Sequence, residues 1–155
     1  MNKINIIQKE KENTKKNSRI FLSYTRADKE YADKLHRILS RRFNFRVFTT
    51  EALSAGENWK SKLKTEISSC DIFVVLLSSN SVHSGWVLSE LGAAWAINKV
   101  IIPVIINSES EVISKIPIDL RELQAVEFKA FEAHPESMDQ IFKPQFESGL
   151  AAAEI

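Results

Sequence analysis

The chain has 155 residues, 44% hydrophobic and 26% charged, with a formal net charge of +1 and a single cysteine. That length suits one domain with a sizeable core, and the near-zero charge gives neither nucleic acid nor an anionic membrane a general electrostatic handle. One cysteine, Cys70, excludes an internal disulfide and is read as a small core residue ahead of an apolar run, consistent with a reducing compartment.

Residues 1–18 are rich in Lys, Asn and Glu and are read as a flexible extension, with the domain proper spanning 19–155. The extension has no continuous signal-peptide core, and no run approaches the ~20 apolar residues of a membrane span. The expected setting is therefore cytoplasmic. From Arg19 the texture changes. Ile20-Phe21-Leu22 forms a short apolar run, followed by the polar loop Ser23–Asp28. Asp28 is placed to cap a helix carrying Tyr31, Leu35, Ile38 and Leu39 at helical spacing. Phe45-Arg46-Val47-Phe48 alternates like a strand near a sheet edge.

The loop Thr49–Asn58, with Gly56, leads to a helix marked by Trp59, Leu63 and Ile67. Ile72–Leu77 is apolar without alternation, the pattern of a strand covered on both faces. A Ser-rich loop, Ser78–Gly85, precedes a helix over Trp86–Asn98 and a second apolar run, Val100–Ile106. Pro103 inside that run predicts an edge position or a bulge. Further on, Glu111–Lys115 is read as a short helix, Ala125–Phe128 as a last strand and Ser137–Ala153 as a final helix. Alternation of strands and helices implies a parallel sheet with helices on both faces. Ligands then bind in the loops beyond the carboxyl ends of the strands.

Several enzyme classes fail on their motifs. No glycine-rich phosphate loop and no Gly-x-Ser-x-Gly elbow occur. Ser78-Ser79 stands where a receiver domain would carry its phosphoacceptor aspartate. His36, His83 and His134 lie far apart without a Cys or carboxylate at ligand spacing, so no metal site is expected.

What remains is spread over three loops: Phe21-Leu22-Ser23-Tyr24-Thr25-Arg26-Ala27-Asp28, Leu53-Ser54-Ala55-Gly56-Glu57-Asn58-Trp59, and Leu77–Leu91 with its Trp86-x-x-x-Glu90 spacing. In this order and on these elements they resemble the Toll/interleukin-1 receptor (TIR) domain family, from about Arg19 to Phe128. Glu90-Leu91-Gly92-Ala93-Ala94-Trp95-Ala96 looks closer to bacterial members. The resemblance implies a flavodoxin-like three-layer α/β sandwich with a central parallel sheet of about five strands. In the NAD-cleaving branch the glutamate of this motif is the essential residue, which by position is Glu90, with Trp86 as the motif tryptophan. Tyr24, Arg26 and Trp59 are implied to border the same cleft. One departure stands out: many relatives place an acidic residue directly after the second strand, whereas here Thr49-Thr50 precede Glu51.

The implied function is an NAD+ nucleosidase, a glycohydrolase or ADP-ribosyl cyclase, with NAD+ as substrate and no separate cofactor. Activation by self-assembly and a place in bacterial signalling or antiphage defence are part of the same expectation. Nicotinamide in NAD+ is a cationic leaving group, so one carboxylate that stabilises an oxocarbenium-like ribose can suffice. Spacing of four puts Trp86 and Glu90 on one helix face, and Arg26 can pair with the pyrophosphate. Two other roles compete: a non-catalytic TIR scaffold that self-associates through the Gly56 loop, and a deoxyribosyltransferase-like enzyme with a carboxylate nucleophile. Structural readings accompany them. Arg26 can pair with Asp28, Leu88, Leu91 and Trp95 have core spacing, and Gly92-Ala93-Ala94 can allow close helix–sheet packing.

Overall fold

The computed structural model describes residues 18–107, 110–115, 123 and 125–142. The N-terminal extension and the expected helix beyond residue 142 lie outside them. Strands β1 (Arg19–Ser23), β2 (Arg46–Thr49), β3 (Ile72–Leu77), β4 (Val100–Ile105) and β5 (Val126–Glu127) form one sheet in the order β2-β1-β3-β4-β5. Every pairing is parallel. Helices α1 (Lys29–Arg42), α2 (Trp59–Ser69), α3 (Gly85–Ala96) and α4 (Ser110–Lys115) fill the crossovers, and α5 (Phe128–Ala133) follows β5. The flavodoxin-like sandwich is therefore as expected.

Period-two alternation assigns each strand residue to one of two cores. Ile20, Leu22, Ile72, Val74, Leu76, Ile102 and Val104 pack with Leu35 and Leu39 of α1 and Phe128 and Phe131 of α5. The intervening Phe21, Phe73, Val75, Leu77, Ile101 and Ile105 pack with Ile67 of α2 and Val87, Leu91 and Ala94 of α3. Phe21 and Phe73 stack at 5.2 Å between ring centroids, a contact that locks β1 to β3 at the centre of the second core. All six residues of β3 are buried, because helices cover both of its faces.

Three local expectations are corrected. Pro103 lies in a strand that has neighbours on both sides, but among the described residues β5 pairs only with Val104 and Ile105, so no strand residue is paired with Pro103 on that side and its missing N–H costs no ladder bond there. Trp95 is 55% exposed, because the sheet-facing positions of α3 are taken by Val87, Leu91 and Ala94. Gly92 and Ala93 are also exposed, and a Cβ at Gly92 would meet nothing, so only Ala94 serves close packing. β2 does lie at the sheet edge, as its alternation suggested. Helix α5 occupies residues where the sequence offered only the end of a strand.

Asp28 precedes α1 without capping it by a side-chain hydrogen bond. Its carboxylate is buried and accepts instead from Ser78 Oγ at 2.6 Å and Thr25 Oγ1 at 2.9 Å. Ser78 Oγ in turn accepts from the backbone N–H of Ser81 at 3.1 Å and of Asn80 at 3.2 Å. This network ties the loop after β1 to the loop after β3, although the two chains leave the sheet toward opposite faces. Asp28→Ala strands two hydroxyls in a water-poor site and should cost roughly 2–4 kcal/mol. Urea unfolding checks this, with a lowered midpoint and an unchanged slope as the expected result.

Candidate active site

In a doubly wound sheet the crevice opens where neighbouring strands send their helices to opposite faces. Here that point lies between β1, followed by α1 in the first core, and β3, followed by α3 in the second. Alternation along β1 turns Phe21 and hence Ser23 toward the α3 side. On α3, Ser84 caps the first turn by accepting from Val87 N at 3.3 Å, which fixes where the helix starts. Glu90 then falls on the inward face with Val87, Leu91 and Ala94.

Glu90 is only 3% exposed. Its Oε2 accepts a hydrogen bond from Ser23 Oγ at 2.5 Å, while Oε1 is buried with no partner meeting hydrogen-bond geometry. Burial pushes the carboxyl up to about 7; the Ser23 hydroxyl, and less strongly the Trp86 indole, pull it back toward the ordinary range. The pull of Trp86 acts without a completed hydrogen bond to Oε1. A buried carboxyl poised near neutrality and short of one partner is the chemically distinctive group of the crevice.

Trp86 and Trp59 are brought together beside it. Their ring centroids lie 5.4 Å apart at 43°, and they remain 42% and 50% exposed. Trp59 reaches this position because Asn58 caps α2 by accepting from Ser61 N at 3.2 Å. The preceding loop turns at Gly56, whose φ of +91° suits glycine. Arg26 stands on the short 3-10 turn after β1, exposed and without a carboxylate partner among the described residues; Asp28, its expected mate, is committed to Ser78 and Thr25.

Tyr24 is not brought to Glu90. As the residue after Ser23 it takes the opposite side of the sheet and joins the core under α1. There it borders a recess with Thr49 and Glu51, and burial raises its phenol above the usual value, followed by the nearby Glu51 carboxylate. Glu51 is tied to Lys29 at 2.6 Å on that same side. The residue that sequence reading missed is Ser23. Its signal was present: two positions beyond Phe21, it shares the face that α3 covers.

His36, His83 and His134 do not converge, and no group of three potential ligands occurs among the described residues. Cys70 is buried and its thiol is pushed up to about 11, chiefly by desolvation, which makes it a poor nucleophile. No helix among the described residues is long and apolar enough to cross a membrane.

The doubly wound sheet agrees with comparisons to known proteins. The sequence profile of the TIR domain matches residues 20–142, and the chain belongs to that family. No curated protein matches the sequence. Among solved structures, the TIR domain of a Toll-related receptor from Hydra magnipapillata superposes with a TM-score of 0.66 at 13% identity, over 81% of this chain and 96% of that one. A CMP N-glycosidase from Clostridium botulinum gives 0.60 at 18% identity, over 81% and 100%. A 2-deoxyribosyltransferase from Leishmania mexicana gives 0.57 at 16%, over 77% and 97%. At these identities the likeness concerns the fold.

Glu90 should also mark the stability curve. Its folded value, about 7, lies above the ordinary carboxyl value of 4.5. Between those values the folded state holds a proton that the unfolded state has released, so stability falls as pH rises through that window. The penalty at alkaline pH is on the order of 3 kcal/mol. Glu90→Gln keeps an acceptor for Ser23 and removes the charge. Thermal unfolding across pH should show it more stable than wild type at about pH 8 and nearly equal at about pH 4.5.

Proposed function

We propose that this TIR domain is an NAD+ nucleosidase and that Glu90 is its catalytic residue. The observation that carries the proposal is the buried Glu90 carboxyl, poised near neutrality, with one oxygen on Ser23 and the other without a partner. Family membership supports it, as does the likeness in fold to enzymes whose names denote an N-glycosidase and a deoxyribosyltransferase.

The reaction breaks the bond between C1′ of the ribose and the nicotinamide nitrogen. Both electrons leave with nicotinamide, which becomes neutral, so no general acid is needed. Positive charge develops on the ribose as the bond breaks. The ionised Glu90 stabilises it, and its free Oε1 accepts from a ribose hydroxyl. Water then adds at C1′ and loses a proton, giving ADP-ribose; capture by a nitrogen of the same molecule's adenine gives a cyclic product instead.

Trp59 and Trp86 offer flat surfaces for the bases, and Arg26 a cation for the pyrophosphate. Tyr24 takes no part in this reading, since it lies on the other side of the sheet. Glu90 is buried in the isolated chain, so substrate reaches it only when part of the crevice wall moves aside. A second copy docking on the exposed tryptophans and the Gly56 loop would bias that movement, which joins self-assembly to catalysis in cytoplasmic bacterial signalling or antiphage defence. The same exposed surface suits the alternative of a non-catalytic TIR–TIR scaffold.

Nicotinamide release from NAD+ at high protein concentration separates the two. Wild type should turn over, and Glu90→Gln should lose at least about a hundredfold in kcat; assembly without release by wild type would favour the scaffold. The rate should rise through pH 7 as Glu90 ionises. Ser23→Ala removes a hydrogen bond that favours the ionised form, so its acidic limb should move to higher pH. A limb that stays in place would separate Ser23 from the tuning of Glu90.

A further inference from the structure

We propose that a recess at the amino ends of β1 and β2, at the opposite end of the sheet from Glu90, binds a phosphate-bearing small molecule. Arg19 and Arg46 are Cα partners in the parallel ladder, so their side chains leave the same face of neighbouring strands. Adjacent strands lie about 4.8 Å apart, and like charges placed directly across a ladder repel. Neither guanidinium forms an ion pair among the described residues; the Asp71 carboxylate beside Arg19 accepts from its backbone N–H at 2.7 Å.

The recess these arginines border, against α2, has a volume of about 350 Å³, within the size range of small-ligand sites. Lys62 adds a third cation. The single carboxylate of the lining, Glu66, is already paired with Lys62 at 3.3 Å. Phe48 and Cys70 supply an apolar part of the wall. Two adjacent guanidiniums, with the nearby Asp71 carboxylate engaged by the Arg19 backbone N–H, favour a ligand with more than one negative charge. A phosphate monoester is dianionic at neutral pH and accepts paired N–H donors from arginine. A single carboxylate would neutralise only half of the pair.

Arg19 begins β1 and Ser23 ends it, so the recess lies about 13 Å from the Glu90 crevice along the strand. It is a separate site and does not depend on the NAD+ reading. Because β1 carries both Arg19 and Ser23, occupancy at one end bears on the strand that holds Glu90 at the other.

Backbone amide NMR titration of the full chain with inorganic phosphate, AMP and adenosine tests the proposal. Phosphate and AMP should both shift the amides of Arg19, Arg46 and Cys70 and should weaken with salt. Arg46→Glu should raise Kd at least about tenfold, whereas Arg41→Glu, an equal charge change on α1, should leave it within about twofold. If Arg46→Glu does not fold, Arg46→Ala serves with a smaller expected loss. The proposal is overturned if those amides do not move, if Arg41→Glu weakens binding as much, or if adenosine moves them and phosphate does not.

Discussion

The buried carboxylate of Glu90 sets the terms for the rest of this structure. An ionised side chain in a core is costly unless something compensates it, and the fold supplies only one hydroxyl, from Ser23. The remaining cost appears as a carboxyl held near neutrality. That condition depends on the lengths and start points of two elements. β1 must end with Ser23 turned to the α3 side, and α3 must begin at its Ser84 cap so that Glu90 faces inward rather than to solvent.

The two elements are held in that relation from below and above. Below, Phe21 stacks on Phe73 and the β1–β3 ladder runs in register from Ile20–Ile72 to Ser23–Val75. Above, Asp28 bonds Ser78 and Thr25 across the loops that leave the sheet in opposite directions. On the far side of α3, Asn98 takes a left-handed conformation, and Lys99 then reaches back to the carbonyls of Ser68 and Cys70. The crevice is thus framed by hydrogen bonds that need no ligand, while Trp59, Trp86 and Arg26 stay exposed at the surface.

Much of this was legible in the residues because burial has a period. Uninterrupted apolar runs at Ile72–Leu77 and Val100–Ile105 announce central parallel strands, and Trp59, Leu63 and Ile67 announce a helix. Glu90 was singled out through the resemblance of its Trp86-x-x-x-Glu90 motif to the TIR family, since spacing alone leaves it an ordinary helix residue. Partnerships between distant segments were not legible. Asp28 carries an ordinary capping signal, and only the sheet order brings it to Ser78, fifty positions away. Trp95 reads as core by spacing, but spacing gives a face and not which face meets the sheet. Tyr24 was grouped with Glu90 through the family resemblance, whereas the pleat of β1 sends it to the other layer. Helix α5 follows a strand of only two residues, too short for its end to be read from alternation.

The central claim is that the fold itself, before any ligand binds, holds Glu90 at the edge of ionisation. A carbon-detected NMR titration of the glutamate side-chain carboxyls, with the Glu90 signal assigned by its loss in Glu90→Gln, tests this directly. The account predicts a midpoint at about 7 for that signal, well apart from the exposed glutamates. A Glu90 midpoint near the ordinary carboxyl value of 4.5 would contradict it.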